Sequence, residues 1–99
     1  MRKKLPNRRQ RTPVEFEHEG ISYKGGAGHY PDGRVGEVFL SGGKSGYLLQ
    51  ALSSDGAVAA SIAMQYGAPI DVLRNAMLRD DKGAAAGPLG KLLDILAGE

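Results

Sequence analysis

The residues closest to recognisable chemistry are Gly42-Gly43-Lys44-Ser45-Gly46, a glycine-rich stretch with a lysine placed between a strand and a helix. Amides at a helix N-terminus, with an ammonium beside them, attract phosphate and other anions. The complete phosphate loop also needs a glycine five residues before Gly43, and Val38 stands there. No acidic strand end follows to hold magnesium. The stretch therefore reads as a strand-to-helix connection, with weak anion binding at Lys44 as the functional alternative.

The other reactive side chains are scattered. His18 and His29 are the two histidines, and the chain has no cysteine. A zinc site would have to be completed by carboxylates, and the histidines lack the close spacing that one helix turn requires. Asp80 and Asp81 are adjacent, so their side chains point apart and suit a solvated loop. Ser53, Ser54 and Ser61 lie in helical sequence without a neighbouring base, which gives nucleophilic catalysis no footing. These patterns point to a chain that is not an enzyme, with no resident metal or cofactor.

The elements that must position these residues follow from periodicity. Val14, Phe16 and His18 alternate with Glu15, Glu17 and Glu19, the pattern of a half-exposed strand. Glu19-Gly20 permits a tight reversal into a second alternating strand that starts at Ile21. Gly25, Gly26 and Gly28 interrupt it and predict a bulge or a close backbone approach. Tyr30-Pro31-Asp32-Gly33 is a turn, with proline setting one φ and glycine accepting a positive one. Val35 to Leu40 is the third strand of an antiparallel meander with one dry face.

The second half is helical. Leu48, Leu52, Ala59, Ile62, Ala63 and Tyr66 fall on one stripe of a helix over residues 45–66, and that stripe is the expected core face. Gly56 either kinks this helix or lets a neighbour approach. Gly67 and Pro69 end it. A short helix over residues 70–79 buries Ile70, Leu73 and Met77, residues 80–87 form a loop, and Pro88 opens a last helix carrying Leu89, Leu92, Leu93 and Leu96. The fold class is α+β: a three-stranded antiparallel meander followed by a long helix and two shorter ones on one sheet face.

Ninety-nine residues, 41% of them hydrophobic, make one domain with a modest core. No apolar run reaches the length of a membrane span, and the start lacks the apolar stretch of a secretory signal, which points to the cytoplasm. The net charge of +2 hides a segregation. Arg2, Lys3, Lys4, Arg8, Arg9 and Arg11 give the first 12 residues a charge of about +6, while the other seven cations face eleven acids and leave the body at about −4. Pro6 and Pro13 bracket this segment, so residues 1–12 read as a flexible basic arm and residues 13–99 as the folded domain. The arm is either a solvated leader or an electrostatic handle for nucleic acid, with Arg34 and Lys44 as further phosphate contacts. It carries no aromatic residue for stacking on bases.

Four stretches carry a family resemblance: Leu5-Pro-Asn-Arg-Arg, Tyr30-Pro-Asp-Gly-Arg-Val-Gly-Glu-Val-Phe-Leu40, Gly43-Lys-Ser-Gly46 and Ser61-Ile-Ala-Met-Gln-Tyr-Gly-Ala-Pro-Ile70. Together they resemble the TSCPD domain, usually found at the C-terminal end of adenosylcobalamin-dependent ribonucleotide reductases. The likeness covers nearly the whole chain and implies an α+β appendage, here freestanding, instead of a reductase barrel. The family's Thr-Ser-Cys-Pro-Asp stretch, aligned on Pro88, meets Ala85, Ala86, Gly87 and Leu89 at its other positions. Nothing that depends on that cysteine carries over. The resemblance implies a non-catalytic binding or regulatory module that docks on a protein partner, a reductase or nucleotide-metabolism complex. The alternative is a small nucleic-acid-associated protein, such as a phage-derived inhibitor or accessory factor, acting through the basic arm. Two free sheet edges also make a homodimer an expectation.

Overall fold

The structure is a computed structural model that describes residues 1–42 and 46–98. Three strands, β1 (Arg11–His18), β2 (Ile21–His29) and β3 (Val35–Ser41), form one antiparallel sheet in sequence order. They precede helices α1 (Tyr47–Gln65), α2 (Ile70–Ala76) and α3 (Pro88–Leu96). The α+β meander-then-helices order expected from the sequence is the observed one.

Each reversal has a local cause. Glu19 and Gly20 both take positive φ, 53° and 77°, the geometry of a two-residue hairpin turn whose twist matches its strands. Gly33 takes φ 94° in the second turn, and Asp32 accepts the Arg34 amide at 2.9 Å. The glycines of β2 do not end the strand at Lys24; it runs on to His29, with the pairing to β3 shifting between Gly28 and His29. Gly26 answers a close approach, since a Cβ there would sit 2.9 Å from the Phe39 ring. Arg11 and Thr12, assigned to the arm from sequence, belong to β1.

One sheet face packs under the helices. Tyr23, Val38 and Leu40 from the strands meet Ala57, Ala60 and Met64 of α1 and the fully buried Leu92 and Leu93 of α3. Phe16 stacks on Tyr23 at 5.4 Å between ring centroids. Burial of each large apolar side chain stabilises the fold by about 2 kcal/mol, so this compact cluster is the main driving force.

Helix α1 is one continuous helix, and Gly56 gives room to Leu89 of α3: a Cβ there would lie 3.3 Å from that side chain. It ends as expected, with Gly67 at φ 112° and reciprocal bonds from Gly67 N to Met64 O and from Ala68 N to Ala63 O, both 3.0 Å. Its rotation, however, corrects the sequence expectation. Leu48, Leu52, Ile62 and Tyr66 are exposed, while Ser53, Ala57, Ala60, Ser61, Met64 and Gln65 are buried. The reason lies in β3. The alternation of antiparallel pairing points the Val38 and Gly36 backbone groups away from β2. Ser61 Oγ accepts the Val38 amide at 2.8 Å and lies within donor reach of Val38 O (3.1 Å) and Ala57 O (2.8 Å). Gln65 Nε2 donates to Gly36 O at 3.0 Å. Two polar side chains of α1 thus complete the edge strand.

The end of α2 also differs from the sequence expectation. It stops at Ala76 instead of running to residue 79, because Met77 turns extended (ψ 152°) and Arg79 bridges Ala85 across a small loop. Asp80 organises that loop by accepting the amides of Lys82 (2.9 Å) and Ala84 (3.0 Å). Arg79 is thereby aimed at Asp94 on α3, with contacts of 2.6 and 2.8 Å, and Arg74 of α2 reaches the same carboxylate at 3.0 Å. The Asp94 carboxyl is held below its ordinary range, first by the Arg79 hydrogen bonds, partly opposed by burial and reinforced by Arg74.

Two predictions follow from this packing. Ser61→Ala should lower stability by about 1–2 kcal/mol in chemical denaturation, because a buried β3 amide loses its acceptor, whereas Leu48→Gln on the outer side should stay within about 0.5 kcal/mol. Asp94→Asn should cost about 2 kcal/mol at pH 7. A depressed folded pKa stabilises above the unfolded value of about 3.9 and loses that contribution as pH falls through the folded value. The gap between wild type and Asp94→Asn should therefore shrink as melts are taken from pH 5 toward pH 2, and a constant gap would remove the charge from the explanation.

Candidate docking surface

The outward side of α1 follows from its inward side. With Ser61 and Gln65 turned to β3, the large apolar residues of the helix must point the other way. Leu48, Leu52, Asp55, Ala59, Ile62 and Tyr66 are spaced four, three, four, three and four apart, so at 100° per residue they lie within about 40° of one line. Leu48 is 72% exposed, Leu52 61%, Val58 at the margin 55%, and Tyr66 62%. Asp55 is the only charged residue on the helix. A helix apolar on both sides, packed on one, presents surface that water solvates poorly.

At the N-terminal half of α1 the stripe runs into a groove of about 340 Å³ between α1 and the start of α3. Leu49, Leu52, Met77, Leu78, Pro88 and Leu89 line it. Ser53 Oγ is a buried hydroxyl without a hydrogen-bond partner among the described residues, beside the same groove. Gly87, the position aligned with the family's cysteine, is the N-cap of α3 at the groove wall.

The cations singled out from sequence are divided by the structure. Arg2 Nε bonds Gln65 Oε1 at 2.7 Å, Lys3 N bonds Gln65 O at 2.7 Å, and the buried Tyr30 hydroxyl donates to Lys3 O. Arg9 forms a two-point pair with Glu37 at 2.7 and 3.2 Å, with both side chains largely buried. Arg11 lies over the Phe39 ring at 5.6 Å. Lys3 Nζ and the Arg34 guanidinium both approach the Tyr30 ring, at 5.4 and 4.9 Å, a cation–π arrangement that Arg34 supplements by pairing with Asp32. Lys4 and Arg8 are exposed. Lys44 lies outside the described residues.

The histidines sit at opposite ends of the sheet and hold structure. His18 Nε2 donates to Ala86 O at 3.0 Å. His29 Nδ1 donates to Gly33 O at 3.0 Å, and its Nε2 lies 2.9 Å from Thr12 Oγ1. Among the described residues no three His, Asp or Glu side chains gather as a metal site, and no helix is long and apolar enough to cross a membrane.

The exposed stripe is what sequence reasoning assigned to the wrong side. A signal was present: α1 carries a single charge, so it lacks the polar face of an ordinary surface helix, and its Ser and Gln residues fall opposite the leucines.

The sequence also matches known proteins. The TSCPD domain family model matches residues 2–97. A vitamin B12-dependent ribonucleotide reductase of Rhodopirellula baltica is 40% identical over 77 residues, covering 75% of this chain and 7% of the reductase. That of Agrobacterium fabrum is 37% identical over 70 residues, covering 71% and 6%, and that of Streptomyces coelicolor is 35% identical over 71 residues, covering 72% and 7%. The chain thus spans only about 7% of the length of these relatives. No solved structure gives a significant match. A family match that runs from Arg2 to Ala97, on a sheet-then-helices fold of the expected order, establishes that this chain belongs to the TSCPD domain family.

Proposed function

We propose that this chain is a non-catalytic docking module that seats the outer face of α1 on a protein partner. The observation that carries the reading is the exposed, heptad-spaced stripe of Leu48, Leu52, Ile62 and Tyr66 on a helix whose opposite side is buried against the rest of the fold. Interfaces draw their affinity from a few desolvated large residues, and tyrosine and leucine in a row beside a groove supply that chemistry. Its relatives are vitamin B12-dependent ribonucleotide reductases, so the partner class is such a reductase or an assembly of nucleotide metabolism. The structural hydrogen bonds made by His18 through Nε2 and by His29 through both ring nitrogens, together with the absence of cysteine, support a binding role over a chemical one. A purified vitamin B12-dependent reductase immobilised on a sensor should capture nanomolar wild-type chain. The Leu52→Glu/Ile62→Glu variant, folded by circular dichroism, should bind at least tenfold more weakly, about 1.4 kcal/mol. Equal capture of both would overturn the assignment of this face.

A second reading is favoured by the convergence of Lys3 and Arg34 on Tyr30, which sets cations together beside the exposed Lys4. This corner would serve as an electrostatic handle for nucleic acid. Deleting the segment is a poor test, since Arg2, Lys3 and Arg9 also hold the fold. Charge reversal by Lys4→Glu/Arg8→Glu should abolish DNA retention at low salt; retention by the variant equal to wild type would exclude the handle.

A further inference from the structure

The stripe on α1 has a symmetry that names an occupant. Its positions pair about a level midway along the helix at residue 57: Leu48 with Tyr66, Leu52 with Ile62, and Asp55 with Ala59. Two copies laid antiparallel through this face would set each large side chain against a large one and each aspartate against an alanine, as the facing layers of an antiparallel coiled coil do. We propose that the outer face of α1 is occupied by a second copy of this chain, forming a two-fold antiparallel helix pair that a docking partner must displace. This rests on the reading of that face as a docking surface and adds its regulation by self-association.

Three further observations support the arrangement. The buried side of α1 lies opposite the stripe, so the two bodies would stand on opposite sides of the helix pair. The exposed portions of Leu48, Leu52, Val58, Ile62 and Tyr66 offer up to roughly 500–600 Å² per copy, so burying most of them in both copies brings the pair to about the ~1,000 Å² expected of a specific interface. Asp55 sets the direction. A parallel pair would place the two carboxylates face to face in one layer, whereas the antiparallel pair offsets them by a layer and opposes each to Ala59. The sheet edges are poorer routes to a dimer. Ser61 and Gln65 already occupy β3, and Pro13 sits on β1 at a position facing away from β2, where an added strand would meet no amide.

Sedimentation of the purified chain from 1 to 200 μM is expected to show a concentration-dependent dimer, with Leu52→Glu/Ile62→Glu monomeric throughout. Asp55→Ala should tighten the dimer roughly tenfold by removing two like charges a layer apart. Because the chain has no cysteine, direction can be read by oxidation: Leu52→Cys/Ile62→Cys should form a covalent dimer, and Leu52→Cys alone should not. A wild-type monomer at 200 μM, or efficient cross-linking of Leu52→Cys alone, would overturn the inference. Reductase capture at nanomolar chain is read separately. A dimer without capture keeps the self-paired face but removes the docking reading and with it the displacement by a partner; capture by a chain that never dimerises keeps the docking reading and removes the pair.

Discussion

The hydrogen-bonding demand of one strand edge governs this molecule. β3 is the last strand of a three-stranded sheet, and its outward amide and carbonyl groups are covered by a helix, out of reach of water. A buried backbone group left without a partner costs about as much as several methylenes gain. Leucine cannot meet that demand, and serine and glutamine can. Ser61 and Gln65 therefore set the roll of α1 about its own axis, small alanines let it come close, and the larger apolar residues are carried to the outside. The outward stripe is the other half of the same bargain.

This explains which parts of the fold were legible in the residues. The two hairpin turns, the end of α1 at Gly67 and the start of α3 at Pro88 are local events, decided by backbone chemistry that sequence displays directly. The roll of α1 is not local. Hydrophobic periodicity identifies a stripe but cannot say which neighbour it faces, and here a long-range hydrogen bond between Ser61 and Val38 outweighs it. The early end of α2 is similar: its sequence could continue, but the pairing of Arg79 with Asp94 on α3 and the Asp80 turn draw the chain out of the helix. Helix existence was readable; helix facing required the partner.

The candidate site was partly legible for the same reason. Positive charge in the first residues stands out in composition, yet composition cannot show that Arg9 meets Glu37 or that Arg2 meets Gln65, twenty-eight and sixty-three positions away. A basic segment read in isolation looks like a tether awaiting an anion. In the folded chain much of its charge answers groups on β3 and α1, while the uncharged-looking helix presents the surface with unmet solvation.

Gln65 ties the segment before β1 and the edge of β3 to the end of α1. Its amide nitrogen holds Gly36, its amide oxygen accepts Arg2, and its backbone carbonyl accepts Lys3. On the ribosome the first residues emerge long before this glutamine does. The meander can form as soon as β3 is made, and Arg9 can then meet Glu37 and Lys3 can meet Tyr30, but Arg2 and the Lys3 amide wait for Gln65 until the last turn of α1 leaves the exit tunnel. The contacts of Arg2 and Lys3 with Gln65 therefore form late in vectorial synthesis, together with completion of the helix that closes the sheet.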